Sequence, residues 1–98
     1  MRATKFDEGK PCPDLILRGM PLALLEVAKV GTFGAKKYSD DNWMGLETVR
    51  FRNAGQRHML LRFTGEEYDP ETHITHLAHE AWNKLAELEL ELRKANSN

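Results

Sequence analysis

Residues Pro21 to Phe33 read Pro-Leu-Ala-Leu-Leu-Glu-Val-Ala-Lys-Val-Gly-Thr-Phe, and this run limits the fold more than any other stretch. Proline suits a first helical turn. Leu22, Leu24, Leu25, Val27, Ala28, Val30 and Phe33 then leave almost no polar side to the helix. A helix apolar nearly all round must be covered from more than one direction. In a chain of 98 residues the partners available are few. We expect one all-α domain spanning 1–98, a small bundle of three main helices at about 21–37, 47–63 and 70–94. We expect a second copy to complete it, as a homodimer or homotetramer.

The remaining segments support an all-α reading. No stretch alternates apolar and polar residues long enough to read as a strand. Residues 1–19 carry Gly9, Pro11, Pro13 and Gly19 and predict an irregular or extended lead. Ser39-Asp-Asp-Asn-Trp-Met-Gly45 is rich in turn formers. The second helix interleaves Arg50, Arg52, Arg57 and Arg62 with apolar residues and stops at Thr64-Gly65. Asp69-Pro70-Glu71 predicts an N-cap, an N1 proline and a first-turn carboxylate for the third helix.

Charge and cysteine content narrow the function. A formal net charge of -1 makes nucleic acid or an anionic membrane an unneeded partner. The single cysteine, Cys12, allows no internal disulfide and no thiolate-rich metal site. No apolar run is long enough to span a bilayer and no secretory leader is visible, so the expected setting is cytoplasmic.

Three of the four histidines, at 73, 76 and 79, fall in the stretch His-Ile-Thr-His-Leu-Ala-His-Glu-Ala-Trp-Asn-Lys-Leu. On a helical wheel His76, His79, Glu80, Asn83 and Glu87 share a stripe about 100° wide. Ile74, Leu77, Ala81, Leu85, Leu88 and Leu92 gather on the other side. The leucine side should hold the helix against the bundle, and the stripe should line a site. Solvated stripes usually carry Lys and Glu; His, Asn and carboxylate suit metals or polar ligands. His73 lies in the first turn of the expected helix and is left out.

Other residues extend the candidate site. Glu66, Glu67 and Asp69 set carboxylates beside the start of the third helix, a donor type suited to Mg²⁺ that carries phosphates. Glu26 needs a partner or a metal in so apolar a helix. Lys37, Tyr38, Asn42 and Trp43 suit a phosphate-bearing ligand with a flat base. Arg50 and Arg57 could grip phosphate oxygens or form surface ion pairs.

The runs "KFDEGKPCPDLIL", "VAKVGTFGAKKYSDDNW" and "RHMLLRFTGEEYDPETHITHLAHEAWN" together resemble the phage and bacterial dATP/dGTP diphosphohydrolases over nearly the whole chain. The resemblance implies an all-α, MazG-like nucleotide pyrophosphohydrolase. Such an enzyme converts purine deoxynucleoside triphosphates to the monophosphate and pyrophosphate, in a host cytoplasm if the source is a phage. It carries over to Lys10, Lys37, Tyr38, Asn42, Trp43, Arg57, His58, Glu66, Asp69, Glu71, His76, His79 and Asn83. Two features depart from it: Glu71-Thr72-His73 replaces a usual Glu-Ser-Gly, and the paired acidic motifs of MazG helices are not visible.

The expected roles follow. His79, His76, Glu80 and Asp69 are catalytic. Lys10, Lys37, Tyr38, Asn42, Trp43, Arg57, His58 and Asn83 bind substrate. Glu66, Asp69, Glu80 and Glu26 hold Mg²⁺, with Mn²⁺ as the other candidate ion. Two other classes compete: an HD-type phosphohydrolase with a transition metal on His58, His76 and His79, and a non-catalytic nucleotide-binding helical dimer.

Overall fold

A computed structural model describes residues 8–97. It is all-α, with no strand among the described residues: α1 (Asp14–Gly19), α2 (Pro21–Lys37), a 3₁₀ turn (Asn42–Gly45), α3 (Thr48–Phe63) and α4 (His76–Asn96). The four helices form a small bundle in which α4 is the hub. It packs most extensively on α3 and less so on α2, while α1 leans on α2. No helix is long and apolar enough to cross a membrane.

Two boundaries differ from the sequence reading. The lead is not wholly irregular, because Pro13 occupies the N-cap position and Asp14 the first turn of the short helix α1. Residues 1–7 of that lead lie outside the described residues. The last helix starts at His76 rather than near 70, so Asp69 is not its N-cap. Thr75 takes that role, its side chain accepting from the Ala78 amide at 3.1 Å. A hydroxyl at this place satisfies one of the orphan amides of a helix start.

Residues 69–75 instead make a tight loop. The Asp69 carboxylate accepts from the Thr72 amide at 3.0 Å, and the Asp69 carbonyl accepts from the His73 amide at 2.8 Å. Asp commonly binds its own backbone in this way, and the turn competes with helix formation. His73 sits at φ 60, a left-handed conformation that ends any helix begun at Pro70. The isolated bridge between Tyr68 and Thr75 closes the loop.

The orientation of α4 reverses half of the expectation. Its polar stripe, not its leucines, is the buried side. His76 is fully buried, and His79 and Asn83 are nearly so. Leu77, Leu85, Leu88 and Leu92 are all at least half exposed. The stripe meets α3 along most of its length. Arg62 grips Glu80 with two bonds of 2.6 and 2.9 Å, His58 meets His76, Gly55 faces Asn83, and Arg52 reaches Glu87 at 3.1 Å. At Gly55 an added Cβ would stand 3.4 Å from the Asn83 Cβ, in van der Waals contact, so the two helices lie close here. Val30, Ile74 and Ala78, with Trp82 against them, form the apolar cluster that holds α2 to α4.

Candidate functional site

A cavity of about 760 Å³ opens between the C-terminal half of α2, the 39–46 connection, α3 and α4. Its size is ordinary for a small-molecule site. One side is apolar and aromatic. Trp43, Phe51 and Trp82 meet edge to face with ring centroids 5.7–6.4 Å apart. The other side is polar: Arg57, His58, Asp69, Thr72, His79 and Asn83 line it. Lys37 stands at the rim, 2.9 Å from Glu71. That pairing holds the lysine ammonium above its usual range.

Behind the polar wall the histidines form one connected group. His58 stacks on His79 with centroids 4.3 Å apart and the planes nearly parallel. The Nδ1 atoms of His58 and His76 approach to 2.8 Å. His76 Nε2 lies 2.7 Å from Glu66 Oε1, which can only accept as a carboxylate, so this imidazole donates from Nε2. Thr72 Oγ1 stands 2.7 Å from His79 Nε2 and accepts from the Ile74 amide. Among the described residues no buried side-chain nitrogen or oxygen lacks a partner.

His58, Asp69 and His76 each offer one ligand atom, all within 4.8 Å of one another, and could hold a divalent metal ion. Their electrostatics suit that role. Desolvation lowers the pKa of His58, and the neighbouring His79 and His76 lower it further. Desolvation also lowers His79. Burial works to raise Asp69, but hydrogen bonds from the Thr72 amide and hydroxyl, with the nearby imidazoles, bring it below the usual value. A neutral imidazole and an ionised carboxylate are the forms that bind metal.

The structure gathers part of the expected site and scatters the rest. His58, Asp69 and His76 come together, and Lys37, Tyr38, Asn42, Trp43, Arg57, His79 and Asn83 line the adjacent cavity. Glu66 stands behind His76 and not in the cavity wall. Glu80, expected as catalyst and ligand, is engaged by Arg62, whose hydrogen bonds hold its carboxyl below the ordinary range. Glu26 pairs with Lys29 at 2.6 Å on α2, away from the histidines. Lys10 is exposed on the lead and does not line the cavity. Phe51, Thr72 and Trp82 were not singled out from the sequence. The only hint was that Thr72 interrupts the Glu-Ser-Gly pattern, and a hydroxyl beside an Asp-Pro turn gave no sign that it would meet His79.

Comparison with known proteins finds similarity at the level of sequence. Residues 2–98 match the family model described as dATP/dGTP diphosphohydrolase, N-terminal. A dATP/dGTP diphosphohydrolase of Salmonella phage PMBT28 is 40% identical over 81 residues, which is 83% of this chain and 27% of that protein. The chain thus spans about a quarter of the length of that relative. No solved structure matches it.

Proposed function

The chain belongs to the dATP/dGTP diphosphohydrolase family, through the family's N-terminal model, and from that membership we propose that the cavity binds and hydrolyses a purine deoxynucleoside triphosphate. The observation that carries this reading is one cavity with an aromatic wall facing a His-Asp-His cluster. The base packs toward Trp43, with Tyr38 and Asn42 at the mouth. Arg57 and Lys37 meet the phosphates, since both are cations that line the cavity. The water oxygen bonds to the α-phosphorus, the bond from that phosphorus to the bridging oxygen breaks, and pyrophosphate leaves. His79, held neutral by desolvation, takes the water's proton. Asp69 and Thr72 keep the His79 imidazole in place. A divalent ion on His58, Asp69 and His76 supplies positive charge against the phosphate oxygens when bound.

The test is a turnover screen of the eight common ribo- and deoxynucleoside triphosphates with Mg²⁺, Mn²⁺ or EDTA, reading pyrophosphate against phosphate. Pyrophosphate from dATP or dGTP, abolished by EDTA, is the expected result. Turnover of none of the eight favours a non-catalytic nucleotide-binding module.

Assembly belongs to the same proposal. Leu85, Leu88 and Leu92 keep the 3,4 spacing of a helix–helix seam and lie exposed beside Leu24 and Val27 of α2. Lys84 and Glu89 flank the seam with opposite charges, so a second copy of α4 running parallel sets each opposite its oppositely charged counterpart. We expect a homodimer or homotetramer in the cytoplasm, where its substrates are.

A further inference from the structure

The donors that converge in this chain are not those of a magnesium site. Mg²⁺ prefers oxygen ligands and near-octahedral water, whereas imidazole nitrogens favour transition-series ions. Here two of the three donors are imidazoles and one is a carboxylate. Glu80 and Glu26, which would have made the site oxygen-rich, are taken by Arg62 and Lys29. The two Nδ1 atoms lie 2.8 Å apart, a hydrogen-bond distance, with His58 Nδ1 donating; an ion bound between them would take the place of that shared proton.

Glu66 gives this arrangement its direction. His76 is fully buried and cannot turn its ring to solvent. Its Nε2 proton is committed to the Glu66 carboxylate at 2.7 Å. An imidazole with its proton on Nε2 presents a lone pair at Nδ1, and that atom is the one facing His58. A carboxylate behind the far nitrogen of a ligating histidine fixes the tautomer and raises the basicity of the ligand. The chain supplies this without a long-range coincidence. Glu66 follows Gly65, whose φ of 99 turns the backbone out of α3, and the His76 amide donates to the Glu67 carbonyl at 2.9 Å. The same short connection thus pins the start of α4 and places the carboxylate behind its first histidine.

We infer that the His58–Asp69–His76 centre takes a transition-series divalent ion such as Mn²⁺ or Co²⁺ in preference to Mg²⁺, with Glu66 as the positioning residue that aims His76 Nδ1 at the ion. This rests on the proposed metal-dependent site but not on its substrate, so it is tested by binding rather than turnover. The metal-stripped full chain is titrated with Co²⁺ alone, following the visible absorption of the ion, and then with Mg²⁺ in hundredfold excess as competitor. One Co²⁺ per chain, not displaced by Mg²⁺, is expected. Glu66→Gln keeps a hydrogen-bond acceptor but loses the charge, and should weaken Co²⁺ binding about tenfold to a hundredfold. His58→Ala should abolish it.

A long-range ¹H–¹⁵N spectrum of the metal-free wild-type chain gives a second readout that needs no variant. His76 should show the proton on Nε2. Displacement of Co²⁺ by Mg²⁺, equal affinity in folded Glu66→Gln, or a His76 proton on Nδ1 would each overturn the inference. Binding as described without turnover of any nucleotide would leave the metal centre standing and remove the proposed reaction. Turnover with Mg²⁺ and no Co²⁺ binding would do the opposite.

Discussion

The two long faces of α4 carry opposite chemistry and have changed places relative to ordinary expectation. One face is His76, His79, Glu80, Asn83 and Glu87, and it lies against α3 or the cavity. The other is Leu77, Leu85, Leu88 and Leu92, and it lies open. Burying polar groups is costly unless each finds a partner. Every one of these has a partner or lines the cavity: an arginine for each glutamate, imidazole or carboxylate for His76, a backbone carbonyl for Asn83. The leucines need no such match and stay at least half exposed. A polar helix face therefore marks the interior when its donors and acceptors are matched by a neighbouring helix, and an apolar face can mark an interface.

The strongest way to break this contrast is on the inward face. His79→Ala and Asp69→Asn should each lower kcat about a hundredfold or more, the scale for losing a proton acceptor or metal ligand. The measurement is kcat at a temperature where circular dichroism shows the variant folded. Near-normal kcat with a depressed melting temperature would make the face scaffold alone.

The outward face should respond the other way. Leu85→Glu combined with Leu88→Glu should shift light scattering from dimer or tetramer to monomer at micromolar concentration while metal binding persists. A wild-type chain already monomeric there would remove the assembly proposal.

Trp43 sharpens the comparison from the cavity side. If the nucleobase stacks on it, Trp43→Ala costs about 1–3 kcal/mol of binding and raises KM roughly tenfold to a hundredfold. Trp43 also meets Phe51 and Trp82, with Arg93 over its ring at 5.9 Å. An unchanged KM with a lower melting temperature would make it a cluster anchor.

The smallest effect concerns the Arg62–Glu80 pair. The folded state holds Glu80 below its ordinary value of 4.5, chiefly through the Arg62 hydrogen bonds. Its stabilisation is therefore present above about pH 4.5 and lost as pH falls through the lower folded value. Glu80→Gln should lower the melting temperature modestly at pH 7. As pH falls below 4.5 it should lose less further stability than wild type. Parallel thermal melts across that range check it; equal acid loss in both chains would show that the pair contributes nothing measurable.

Much of this molecule was legible from local pattern. The bounds of α2 follow from Pro21 and the basic end at Lys36 and Lys37, and those of α3 from Thr64-Gly65, because helix starts and stops are written in adjacent residues. The wheel correctly separated a polar from an apolar side of α4, since that depends only on 3.6-residue periodicity. Which side faces inward does not. It depended on Arg52, His58 and Arg62 arriving from α3 within reach of Glu87, His76 and Glu80. The start of α4 was misplaced because Asp69 can cap a helix or a turn with the same carboxylate, and His73 in a left-handed conformation selected the turn. Glu80 and Glu66 looked interchangeable as ligands because composition cannot tell a carboxylate that reaches an ion from one that meets an arginine or stands behind a histidine. Residue chemistry and helical period were thus determined by the sequence alone. The tertiary structure decided which charges neutralise one another, because Coulomb and hydrogen-bond energies act over a few ångströms between residues that lie 10 to 35 positions apart.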